Sequence, residues 1–423
     1  MVTALIGLLV LLLPPPIPVA PPPLPSPPFV AWTVPGLVYV RHQPKVPSEL
    51  AGALRRGDLV HVTELVADKD GKHPWALLAG GGAVPLAALR PGTDRPDDAV
   101  VTASDAHFVY GRVIRAKTPV FAAADSHAAV SRHEKAEYLL AFVPDDALQA
   151  TGWLRRAIGG YMRVADLRML TASTFVGERN PTLPLAFVRH KTPLKPVKGK
   201  PPVPPPQASR YDRLPVLAES GGRVTVAAGT LARAAVRVAY GHVRPAEIPK
   251  KAKWVHVDLT EQTLVAYDGD TPVYATLVST GRDPHPTKRG IYRIYAKTIH
   301  STMRGRGWAD YVAEEVPLVM HFHAGQALHG AYWHDQFGIV KSHGCVNLAI
   351  ADAKWLFDWV PPPLPEGWHT LLPGGHDPAV YVDVDRGGAH PHPHSQPHPP
   401  MAGYQWSIDA QGAKKVRLDG LKE

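Results

Sequence analysis

The chain has 423 residues, 45% hydrophobic and 20% charged, which is enough apolar material to bury a core. At roughly 100–200 residues per domain this length holds about two to four domains. Its single cysteine excludes a disulfide framework and a multi-cysteine zinc site. The formal charge of +9 suits polyanions in general, but it is dispersed and forms no basic nucleic-acid motif.

Proline punctuates the chain, with 46 residues gathered into clusters that read as linkers. The run Val2–Leu13 is apolar and is followed by a proline-rich stretch. It is too short to span a bilayer, which takes about 20 residues, and suits the apolar centre of a secretory signal. Residues 1–30 therefore read as a signal peptide or N-terminal anchor with a proline-rich linker. The expected location is exported, in the periplasm or cell envelope, and peripheral to the membrane at most. Pro196–Pro206 reads as an extended insertion.

The segment between these features repeats itself. Tyr39-Val40-Arg41-His42 resembles Phe187-Val188-Arg189-His190, and Val113-Ile114-Arg115 lies between them. Trp75 and Trp153 each open a stretch with a central glycine pair and a Leu-Arg at Leu89-Arg90 and Leu167-Arg168, and Val224–Val238 is a degenerate third copy. Short alternating runs such as Leu59–Val62, separated by Gly, Asp and Pro, are the pattern of small all-β barrels. Three SH3-like repeats are expected, over 31–95, 105–175 and 183–248, the last with the proline-rich insertion. They would act as wall-binding modules or as spacers.

From Trp254 the pattern changes. Val255, Val257 and Leu259 alternate on one face, and Asp268-Gly269 is a hairpin turn. Thr287–Tyr295 reads as a turn into a third strand, and further strands are expected at Pro317–Phe322 and Ala327–Gly330. One helix starts near Ala349, carries Ala353, Leu356, Phe357 and Val360 on its apolar face, and ends at prolines. The expectation over 253–385 is an antiparallel β domain with one clear helix. Residues 386–423 form a tail whose HPHPHSQPHPP stretch reads as disordered rather than metal-binding.

The candidate chemistry lies at Ser342-His343-Gly344-Cys345-Val346-Asn347, just before that helix. A helix N-terminus and a nearby imidazole both lower a thiol pKa, so Cys345 is the candidate nucleophile. His329, at the end of a predicted strand and followed by Gly330, is the candidate base. Gly344 lets the backbone pass close to a bound carbonyl, and N–H groups around Cys345 can donate to an oxyanion. Tyr332 and Trp333 could wall a cleft, and Arg304 and Arg306 sit in a Gly-rich loop that could act as a lid. His321, His323, His329, His334 and His343 lack zinc-protease spacing, so no catalytic metal is expected.

The pieces VDLTEQTLVAY, LVSTGRDPHPTKRGIYRIYAK, QALHGAYW and SHGCVNL together resemble the L,D-transpeptidase catalytic domain. The resemblance implies a β-sandwich-like fold, Cys345 as nucleophile and His329 as proton donor and acceptor. It also implies that Gly330 orients His329, and that His343 and Gly344 shape the oxyanion site. Ser342 and Asn347 match motif positions, taken here with Tyr332 and Trp333 as substrate-binding. The implied substrates are peptidoglycan stem peptides, with envelope proteins as alternative acceptors, and no cofactor is expected. The acceptor is open: a second stem would give a transpeptidase, water an L,D-carboxypeptidase, a protein amine an anchoring enzyme. The non-enzyme alternative is a wall-binding protein with a relic catalytic domain.

Overall fold

The computed structural model describes residues 24–67, 73–196, 206–305, 310–375 and 377–387, with the backbone of the paired strands Tyr404–Asp409 and Gly412–Arg417. The run Val2–Leu13, most of the Pro196–Pro206 insertion, Arg306 and the His390–Pro400 stretch lie outside the described residues.

The molecule is mainly β, and its upstream part contains the same local motif three times. Trp75–Leu78 pairs with Ala83–Pro85, a 3-10 turn follows at Leu86–Ala88, and the chain continues as Leu89–Pro91. Trp153–Arg155, Tyr161–Arg163, Val164–Asp166 and Leu167–Leu170 repeat this order. So do Arg223–Val226, Gly229–Ala232, Arg233–Ala235 and Val236–Ala239. In the first two copies the hairpin turns on Gly81-Gly82 and Gly159-Gly160, all at φ between +73° and +88°. Paired positive φ values match the right-handed twist of a hairpin and favour glycine. Each copy closes over its own apolar cluster: Val40, Leu54, Val62 and Val84 in the first; Val113, Leu140, Phe142 and Met162 in the second; Val188, Val224, Leu231 and Val238 in the third.

The region from Lys253 is a two-layer β structure. One layer contains Lys253–Asp258, Thr263–Asp268, Thr271–Leu277, Gly290–Arg293 and Val380–Asp385. The other contains Ala296–Arg304, Val312–His323, Gln326–Gly330 and Val346–Leu348. Val255, Val257 and Val382 from the first layer meet Met320, Leu328 and Val346 from the second, and the helix Ile350–Trp359 adds Ala353, Leu356 and Phe357. The expected helix and hairpin are present, with Gly269 at φ +59°. The expectation of a purely antiparallel domain does not hold. Lys253–Asp258 runs parallel to Val380–Asp385, and Gln326–Gly330 runs parallel to Val346–Leu348.

Hydrogen bonds and buried charge join the upstream units to this β region. Leu139 of the second unit pairs with Ala313, and Gly52 of the first pairs with Leu371. Arg156 of the second unit is fully buried, 2.8 Å from Glu134 and 2.6 Å from Glu314. Burying a guanidinium is costly unless carboxylates pair with it, so the two that flank Arg156 make this contact specific in position. Tyr110 stacks on Tyr332 at 3.6 Å, and Arg55 of the first unit reaches Glu315 at 2.7 Å. The third unit packs on the opposite layer, where Arg237 Nε donates to the Gly338 carbonyl at 2.8 Å.

Candidate active site

The parallel pair decides the geometry of the site. Leu328 lies opposite Val346, His329 opposite Asn347 and Gly330 opposite Leu348. Side chains alternate along a strand, so Cys345 and Asn347 share a face, and this register puts His329 on the same face. Cys345, His329, Asn347, Trp333, His343 and Ser342 all line one cavity of about 540 Å³.

The loop that carries Cys345 is braced from several sides. Ser342 Oγ donates to the Cys345 carbonyl and accepts the Gly344 N–H at 3.1 Å. Thr287 Oγ1 donates to the Gly344 carbonyl at 2.9 Å. Asn347 and Ser279 exchange backbone hydrogen bonds at 2.9 and 3.0 Å. Gly344 sits at φ +118°, where a Cβ would lie 2.9 Å from Gln326 Nε2, so a side chain there would be both strained and crowded.

Three site expectations need correction or narrowing. The helix begins at Ile350, after the strand Val346–Leu348, so its N-terminus does not lie at Cys345. The macrodipole effect fades within one turn, and burial instead pushes the half-buried Cys345 thiol up to about 11. The Gly344 N–H is committed to Ser342, which leaves other backbone donors of the loop to face an oxyanion. Tyr332 is 1% exposed beneath the site, donating to the Glu314 carbonyl at 2.7 Å, so it supports the wall and cannot line a cleft. Trp333 does line the cavity, packed edge-on to Tyr332 and 5.7 Å from the His329 ring.

His329 is buried, with Nδ1 3.1 Å from the Gly330 carbonyl. A carbonyl only accepts, so Nδ1 carries the proton and Nε2 is left with its lone pair. Burial brings the imidazole down to about 4 despite that bond. Both shifts favour the neutral thiol and the neutral imidazole. Asn347 Nδ2 contacts His334 Nε2 at 3.1 Å, while Asn347 Oδ1 is buried with no hydrogen-bond partner among the described residues. His343 stacks on Tyr311 at 4.8 Å.

Sequence reading missed the other wall. Arg112, Glu137 and Leu139, all from the second upstream unit, line the same cavity. Asp310, which follows the Gly-rich loop, is held by Lys135 and by Tyr138 at 2.9 Å, both from that unit. No local motif marks these residues, because they reach the cavity only through the pairing of Leu139 with Ala313.

One cluster outside the cavity offers four possible metal-ligand atoms within 4.8 Å of one another: His242, His256, Asp383 and Asp385. The two imidazoles stack at 3.8 Å and 8°, so an ion shared between them would lie out of both ring planes. The geometry fits two His–Asp pairs, with His256 Nε2 2.8 Å from Asp385 and His242 Nε2 3.3 Å from Asp383.

Residues 252–381 match the family model of the L,D-transpeptidase catalytic domain. This segment belongs to the L,D-transpeptidase catalytic-domain family. YciB of Bacillus subtilis, which carries a provisional L,D-transpeptidase name, is 22% identical over 130 residues, or 27% of this chain. The match spans 64% of that protein's length. An L,D-transpeptidase from Stackebrandtia nassauensis is 29% identical, over 32% of this chain and 57% of that one, with a TM-score of 0.24. The catalytic domain of an Enterococcus faecium L,D-transpeptidase is 22% identical, over 32% of this chain and 98% of that one, with a TM-score of 0.26. Cys345 and His329 fall inside the L,D-transpeptidase segment, and Arg112 and Glu137 fall outside it.

Proposed function

We propose that the protein is an exported L,D-transpeptidase that acts on peptidoglycan stem peptides through a thioester on Cys345. The observation that carries this reading is the placement of Cys345 on the same strand face as His329, whose Nε2 is the free lone pair, inside one cavity. The Cys345 thiol attacks the carbonyl between the third and fourth residues of a stem as His329 Nε2 takes its proton. Backbone N–H groups of the Cys345 loop stabilise the oxyanion. His329 returns the proton to the departing amine, the carbon–nitrogen bond breaks, and the terminal amino acid leaves. The amine of a second stem then attacks the thioester, loses its proton to His329, and releases the thiol with a crosslink between third residues.

Asn347, with its unfilled Oδ1, is the proposed acceptor for a substrate N–H, and Trp333 the proposed apolar wall. The upstream units are read as SH3-like modules, and export rests on the Val2–Leu13 run. Among the described residues no helix is long and apolar enough to cross a membrane. Full-length protein mixed with tetrapeptide-bearing muropeptides, with products weighed by mass spectrometry, tests the reading. Crosslinked dimers are the expected product, tripeptide monomers alone mean a carboxypeptidase, and unchanged turnover in Cys345→Ala would rule out the mechanism.

A further inference from the structure

The cavity around Cys345 has a one-sided charge. Among the described residues that line it, Arg112, Arg282, Arg304 and Lys341 are cationic and only Glu137 is a carboxylate. Like charges at one mouth raise each other's energy unless an anion sits among them. The crowding registers on Lys341, whose ammonium is pushed below its ordinary range by burial and by Arg112 and Arg282.

Arg112 is the informative member. Its Nη1 donates to Glu137 at 2.7 Å, its Nη2 reaches the Trp333 carbonyl only at 3.5 Å, and its Nε is buried with no hydrogen-bond partner among the described residues. Glu137 is 71% exposed, so this ion pair is weak and easily exchanged for another carboxylate. A guanidinium has five donors in a planar fork that suits a carboxylate, and this one is under-used while facing the nucleophile's cavity. It is also held in place, because the unit that carries it is fixed by the buried Arg156–Glu314 contact.

We propose that Arg112, carried in by the second upstream unit, forms with Lys341 and Arg282 a receptor for the terminal carboxylate of the peptide that Cys345 attacks, displacing Glu137. This rests on the peptide substrate proposed above. In a four-residue stem the attacked carbonyl and the terminal carboxylate are one residue apart, about 3.5 Å of chain, so an anion receptor must share the nucleophile's cavity. Such a receptor selects bonds next to a free chain end and rejects the same bond inside a longer peptide.

The test is binding, which does not need turnover. Full-length Cys345→Ala is titrated by calorimetry with a tetrapeptide stem as the free acid, as the terminal amide, and with only its side-chain carboxylate amidated. The terminal amide is expected to bind about tenfold or more weakly than the acid. Adding Arg112→Gln should erase that preference, and adding Glu137→Gln, a change at an exposed position, should tighten the free acid. Equal binding of acid and terminal amide would overturn the proposal, as would a loss seen only on side-chain amidation or a preference that survives Arg112→Gln. Turnover of the unmodified chain is scored separately. Discrimination without turnover would leave the receptor standing and count against the transpeptidase reading.

Discussion

The cavity wall that carries Cys345 and His329 and the wall carried in by the second upstream unit are made in different ways. The first is assembled within the L,D-transpeptidase segment by adjacent parallel strands, and it holds a buried His329 beside a half-buried Cys345. The second is brought from far upstream by tertiary docking, and it adds Arg112 and Glu137 to the cations Arg282, Arg304 and Lys341 that the first already carries. The proposed proton transfer runs between two groups that burial keeps neutral. Selection sits where a charged group can exchange partners. A fused upstream unit can thus retune substrate choice without touching the nucleophile.

The largest expected break in this division is at the first wall. Cys345→Ala should abolish product, and His329→Ala should lower kcat by about 10²–10⁴-fold, as measured by muropeptide turnover. Equal activity in either variant would remove the first wall from the chemistry. Next comes the joint between the walls. Glu314→Gln leaves the fully buried Arg156 with Glu134 as its one carboxylate, which should cost about 1–3 kcal/mol in denaturant unfolding. Protease should then cut between the second unit and the L,D-transpeptidase segment, and an unchanged digestion pattern would mean that the units are not welded there.

The pH profile sharpens the same contrast. His329 must be neutral to accept a proton, and burial holds it at about 4 against an ordinary 6.5. As pH falls through that value the base is lost, so kcat/KM should stay level from neutrality down to about pH 5 and fall below it. An acid limb near 6.5 would mean a solvated, not a buried, base. The smallest effect is expected at Tyr332. Tyr332→Phe loses the bond to the Glu314 carbonyl and should cost about 0.5–1.5 kcal/mol of stability. Its KM should not change, and a raised KM would return Tyr332 to the substrate cleft.

The first wall was readable in the sequence because its residues are near one another and their types restrict their use. A lone cysteine, a glycine beside it and an upstream His-Gly pointed to one site, and alternation placed the strands. What sequence missed there was the parallel register, since alternation reports faces but not strand direction. The intervening strand Val346–Leu348 was also too short to see, which is why Cys345 seemed close enough to the helix near Ala349 to feel its N-terminus. The repeats were readable through Gly81-Gly82 and Gly159-Gly160. Their docking was not, because Arg156, Glu134 and Arg112 look like ordinary surface charges until Glu314 and Trp333 are brought beside them.

In the proposed reaction the thiol of Cys345 takes up the acyl group with His329 as its proton partner. The most direct measurement is intact-protein mass spectrometry of the full chain, quenched in acid during reaction with a tetrapeptide stem, followed by peptide mapping. A tripeptide acyl adduct is expected on the peptide containing Cys345, its formation strongly slowed in His329→Ala. Turnover with no adduct, or an adduct mapped to any other residue, would contradict it.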